Sequence, residues 1–162
     1  MQSMKDPATV RNDQTGENRR ERLLVIFPDE WLSHSPTVLN LIDSLTDRFE
    51  VNVVALDDGI YRNDALRGPC YHFVRIPRSL SRFFLRKSRT LYALVTAAIL
   101  YKAVKTQKQV NPPDRVIAVD SLGAWLAMRL FEHCHFLSLG VRKDWFFRHV
   151  DHHRLASVII QS

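Results

Sequence analysis

Short apolar runs alternate with polar, helix-spaced stretches along most of the chain. Leu23–Phe27 is an unbroken apolar run closed by Pro28, the pattern of a strand covered on both faces. A polar loop, Pro28–Ser35, follows. Ser35 and Pro36 then supply an N-cap and a helix-compatible first residue. Val38, Leu39, Ile42, Leu45 and Phe49 recur at helical spacing, which predicts a one-sided helix over Pro36–Phe49. Val51–Leu56 reads as a second buried strand ended by the turn residues Asp57, Asp58 and Gly59. Tyr71–Ile76 alternates as a third strand and stops at Pro77. Ile60–Pro69, between them, is too short and polar to support a helix.

The pattern changes at Arg78–Val110, where Leu91, Leu94, Val95, Ala98, Ile99 and Tyr101 crowd a helical core from Ser88 to Gln109. So many apolar positions predict a helix that is buried or membrane-facing over much of its girth. Asn111, Pro112 and Pro113 end it. Arg115–Val119 is a fourth strand, Asp120–Gly123 a polar turn, and Ala124–Cys134 a helix. His135–Leu139, Lys143–His153 and Ser157–Gln161 read as strand, helix and strand. Strands alternating with helices imply an α/β fold, a Rossmann-like doubly wound parallel sheet with helices on both faces. The chain stops after what reads as a central strand, so the expectation is an amino-terminal half whose partner domain is absent, with residues 1–21 a disordered leader.

Composition narrows the class. The 162 residues, 46% hydrophobic and 25% charged, suit one globular domain. Cys70 and Cys134 are too few for a disulfide framework, which fits a reduced cytoplasmic setting. The longest apolar run, Leu91–Tyr101, is about half of what a bilayer crossing needs. A formal net charge of +6 points to an anionic partner. No acidic residue lies between Asp64 and Asp114, whereas Arg78, Arg82, Arg86, Lys87 and Arg89 do, interleaved with Phe83 and Phe84. Basic residues mixed with aromatics predict contact with an anionic membrane surface; the alternative is a solvated basic loop. Nucleic acid is not expected, because no recognised binding motif accompanies the charge.

In a doubly wound sheet the loops after the strands converge on one edge, where ligands bind. Asp120 follows four apolar strand residues there, a position suited to a general base or a hydroxyl-binding carboxylate. Its alternative role is a helix cap. His34 is the second catalytic candidate, histidine being the side chain that ordinarily changes charge near neutral pH. Asp29, Glu30, Trp31, Ser33, Ser121 and Arg142 complete the expected acceptor-binding set, although Trp31 is expected to pack on the domain. The first loop has no glycine and no P-loop occurs, which argues against a dinucleotide site. The spacing of His149, His152 and His153 raises a metal site, but a polar helix face is the preferred reading.

The segments RLLVIFP, SPTVLNLIDSLTDRFEVNVVAL, RVIAVDSLGAWLAMRL, HFLSLG and RLASVIIQS, in this order and spacing, resemble the amino-terminal Rossmann-like domain of GT-B type glycosyltransferases. The resemblance is to the retaining, nucleotide-sugar-dependent group in particular, and it spans Arg22–Ser162. It implies two facing domains. The first shapes the site for a glycan or lipid-linked acceptor, often at the inner membrane face, and a carboxyl-terminal donor domain grips the nucleotide sugar. It implies no bound cofactor in this domain, no catalytic metal, and no transfer by this domain alone. The loop PDEWLSHSP replaces the family's glycine-rich loop, and Gly140 stands where an acidic residue is common, with Arg142 beyond it. The alternatives are a non-catalytic Rossmann-like membrane- or anion-binding module and half of a GT-B type sugar epimerase.

Overall fold

The computed structural model describes residues 20–57, 71–76, 88–139 and 155–160. The expected leader over residues 1–19, the turn at Asp58 and Gly59, and the basic segment 78–87 lie outside them. So do Arg142, the predicted helix Lys143–His153, and the side chain of Arg89. Six strands, β1 (Glu21–Phe27), β2 (Phe49–Asp57), β3 (Tyr71–Arg75), β4 (Arg115–Val119), β5 (Cys134–Ser138) and β6 (Leu155–Ile160), form one sheet. Every pairing is parallel and the order is β3-β2-β1-β4-β5-β6, that of Rossmann-like doubly wound domains. The described helices are α1 (Pro36–Thr46), α2 (Arg89–Val110) and α3 (Asp120–Leu130).

β1 is the centre of this arrangement, and its residues divide between two cores. Leu23, Val25 and Phe27 pack with Val38 and Ile42 of α1, whereas Leu24 and Ile26 pack with Leu100, Val104, Ala124 and Leu126 of α2 and α3. A strand alternates its side chains with period two, so an all-apolar run is what a sheet sandwiched between two helical layers requires. Each such side chain contributes roughly 1.5–3 kcal/mol on full burial. At the amino edge, Asp114 ties β1 to β4. The Arg22 amide donates to Asp114 Oδ2 at 2.8 Å, and the Asp114 amide donates to the Arg22 carbonyl at 2.8 Å.

Several boundaries differ from those expected, each for a local reason. Glu21 belongs to β1 rather than to the leader: it pairs in register with Phe49, and its carboxylate bridges Arg115 at 2.8 Å. The first helix ends at Thr46 because Phe49 and Glu50 join the ladder of β2. Ser35 occupies the N-cap position of α1, but its hydroxyl donates to the Trp31 carbonyl at 3.2 Å instead of capping. The expected turn at Asp120–Gly123 is already helix, and that helix ends at Leu130, well before Cys134 enters β5. The last strand is not central: β6 is outermost, beside β5 alone.

Candidate functional site

The order of the sheet reverses between β1 and β4, and the crevice at their carboxyl ends is where open α/β sheets bind ligands. Two segments flank it here. One is the β1–α1 loop, which passes through Asp29 and Glu30 into a single 3₁₀ turn, Leu32–His34. The other is the junction of β4 with α3. Residues 26 and 118 are in register, so the two segments leave the sheet side by side.

The β4–α3 junction is unusually tight. Asp120 is the one non-glycine residue with positive φ among the described residues, at 55°, and the helix starts on it without an intervening loop. A left-handed conformation costs an ordinary L-residue about 1 kcal/mol, although Asp tolerates it better than most. Asp120 is the first residue of α3, and the N-cap position of the alternative reading falls to Val119. Asp120 Oδ1 instead accepts the amide of Leu139, just past β5, at 3.1 Å. This holds the carboxyl group across the ends of β4 and β5. Ser121, next to it, is only 7% exposed.

Gly123 explains how the helix comes so close. A β-carbon there would stand 3.1 Å from the Ile26 carbonyl oxygen and 3.5 Å from Pro28 Cδ. The first turn of α3 therefore rests directly on the carboxyl end of β1, which presses the Asp120 turn against the start of the β1–α1 loop.

Within that loop the carboxylates are turned to local partners. Asp29 Oδ1 accepts the Glu30 amide at 2.7 Å. Glu30 Oε1 accepts the Tyr92 hydroxyl at 2.6 Å, which ties the loop to the first turn of α2, 62 residues away in sequence. Ser33 Oγ lies 2.9 Å from His34 Nδ1, and His34 is exposed. Trp31 is not packed into the domain as expected. It remains 48% exposed and meets the His34 ring edge-on at 5.7 Å. The loop backbone is spent on its own 3₁₀ turn, and the His34 and Ser35 amides donate to Trp31 and Leu32 carbonyls at 2.9 and 3.1 Å. This turn contains no glycine, whereas the turn that cradles pyrophosphate in dinucleotide-binding domains is glycine-rich.

The structure thus brings Asp29, Glu30, Trp31, Ser33, His34, Asp120 and Ser121 to the two segments that flank one crevice. Sequence reasoning missed Tyr92 and Gly123. Tyr92 carries a polar handle within an apolar helix, and Gly123 is a glycine inside a helical pattern; each is a visible signal of a specific contact. A second cleft, about 630 Å³, opens at the opposite edge beside Lys108, Asp114, Arg115, Arg129, Glu132 and His133. Its cations are already engaged: Lys108 Nζ donates to the Leu130 carbonyl, Arg115 pairs with Glu21, and Arg129 lies over the Trp125 ring.

No protein-family model matches the sequence, and no curated protein sequence matches it. Solved structures do match. One is UGT2 of Phytolacca americana, solved with UDP-2fluoro-glucose and pterostilbene, at a TM-score of 0.51 and 16% identity. The match covers 74% of this chain but only 31% of that protein, so the chain corresponds to about a third of its length. The fold is thus Rossmann-like, of the kind found in a glycosyltransferase.

Proposed function

We propose that this chain is the amino-terminal, acceptor-side domain of a nucleotide-sugar-dependent glycosyltransferase of GT-B type. With a carboxyl-terminal donor domain it transfers sugar to a hydroxyl of a glycan or lipid-linked acceptor at the cytoplasmic membrane face. The observation that carries the reading is Asp120. Its carboxylate accepts the Leu139 amide across the ends of β4 and β5, on a left-handed turn beside the topological switch point. The match to a glycosyltransferase fold supports the same reading.

In this mechanism Asp120 accepts a hydrogen bond from the acceptor hydroxyl and aims its oxygen at the anomeric carbon of the donor. The acceptor oxygen forms the new bond as the bond to the nucleoside diphosphate breaks; the acceptor proton passes to the Asp120 carboxylate, and the diphosphate leaves with the bonding electron pair. His34 stands in the adjoining loop as the second proton-handling group, and exposed Trp31 offers a face on which a sugar or other flat acceptor group stacks. The nucleotide diphosphate is gripped by the other domain, because the glycine-free β1–α1 loop lacks a phosphate cradle. Arg142 and the retaining stereochemistry belong to the proposal through the family resemblance.

The test is sugar transfer by the chain joined to its donor domain. Asp120→Asn keeps the size and the amide acceptor, and should lower kcat by about 100-fold, within the range for a positioned acid–base group. Unchanged transfer removes Asp120 from the site. Transfer by the chain alone refutes the division of labour.

A further inference from the structure

We infer that a slot on the α1 face of the sheet is a binding site for a medium-chain alkyl carboxylate. Three neighbouring strands floor it, through Leu23 of β1, Ile117 of β4 and Leu137 of β5. Leu41 and Leu45 of α1, with Phe49 of β2, form one wall. The layering of the fold opens it. Leu100, Val104, Ala124 and Leu126 seat α2 and α3 on the opposite face, and α1 is the one described α-helix on this face. Apolar positions of β4 and β5 therefore extend past the cover that α1 provides. Neither Asp120 nor His34 lines the slot, so it is separate from the proposed acceptor crevice.

Size and charge select the occupant. The slot holds about 290 Å³. At ~30 Å³ for each water-sized group this is room for roughly ten, the size of a medium-chain acyl tail. It is too narrow for a protein element. Leu23 and Leu137 on its floor are 2% and 4% exposed, and none of the exposed large hydrophobics, Trp31, Phe73, Leu91, Leu94 and Val110, lines it. The polar residues that do are Arg115 and His135, and no acidic residue joins them. Arg115 Nε donates to Glu21 at 2.8 Å, and its guanidinium lies over the Phe49 ring at 5.7 Å. These contacts hold the guanidinium against the apolar wall, and its terminal nitrogens carry the forked N–H donors that a carboxylate matches. The tail fills the slot while the carboxylate sits at Arg115.

The test is isothermal titration calorimetry of the whole chain with decanoate, kept below its micelle concentration. Decanoate should saturate one site with a Kd near or below about 1 mM and a negative heat-capacity change. Decyltrimethylammonium, with the same tail and the opposite charge, should bind about fivefold more weakly. Arg115→Gln should weaken decanoate binding about fivefold, whereas Glu21→Gln, which removes the competing carboxylate, should strengthen it about twofold. A bridge that serves stability alone would not move the two variants in opposite directions. Leu45→Trp, at a half-buried position on the wall, fills the slot and should weaken binding about tenfold or more. Circular dichroism confirms that each variant is folded; should Leu45→Trp not fold, the signs of the two charge variants decide. Equal affinity for the two amphiphiles, weaker binding in both charge variants, or undiminished binding by folded Leu45→Trp would overturn the assignment. So would no decanoate binding by the parent chain, or a self-associated chain that Leu45→Trp makes monomeric.

Discussion

Asp120 carries two opposed local energies. Its left-handed φ of 55° disfavours a side chain, while its Oδ1 bond to the Leu139 amide favours this one. Asp120→Ala keeps the backbone penalty and loses the bond, so it should destabilise the chain by about 1–3 kcal/mol. Asp120→Gly loses the same bond but relieves the backbone, and should cost about 1 kcal/mol less than the alanine variant. Urea unfolding of the pair separates the two terms; equal stabilities would show that the turn is unstrained. Gly123 sets a similar contest. Alanine improves helix propensity by about 1 kcal/mol. The new β-carbon, however, meets the Ile26 carbonyl at 3.1 Å, and that oxygen belongs to the central strand and cannot swing aside. Overpacking costs about 1–3 kcal/mol, so Gly123→Ala should be destabilising overall.

At the scale of elements, the contact between Glu30 and Tyr92 decides how the β1–α1 loop sits against α2. A hydroxyl bonded to a carboxylate contributes about 1.5–3 kcal/mol. Tyr92→Phe should therefore lower stability by up to that amount. It should also speed amide exchange in residues 29–34, while residues 51–56 of β2 stay protected. Unchanged exchange in the loop would show that its own 3₁₀ turn suffices to hold it. The elements themselves were largely legible. β4 has the predicted bounds and β1, β2 and α2 lie within two residues of the boundaries that apolar spacing predicts, because burial on two faces or one stripe leaves a periodic mark. The start of α3 was not legible. Asp-Ser-Leu-Gly is turn-like in composition, and only the close seat of Gly123 on β1 makes it helical at once.

For the molecule as a whole, the order of the sheet determines which loops can cooperate. β1 and β4 are neighbours across a gap of 87 residues between Phe27 and Arg115, and that pairing alone brings the β1–α1 loop beside Asp120. Under the proposed division of labour, a nucleotide sugar added to this chain by itself should leave Tm unchanged. A ligand that binds only the folded state raises it by mass action. A concentration-dependent rise with a nucleotide sugar would place the donor site in this chain and refute the assignment of phosphate binding to the other domain.

By itself, the sequence determined most of the described strands and helices, the α/β class, the parallel sheet and the residue types at the carboxyl edge. Each of these follows from local periodicity and from the rule that strands joined by helices run parallel. It also placed His34 in the loop after β1 and Asp120 directly after β4. Tertiary structure decided the rest: the outer position of β6, the exposure of Trp31, the left-handed turn at Asp120, and the partners Leu139 and Tyr92. Those depend on contacts between residues far apart in sequence, where crossover connections bring chain ends together. A local pattern of apolar and polar positions records which face is buried. It holds no record of what that face is buried against.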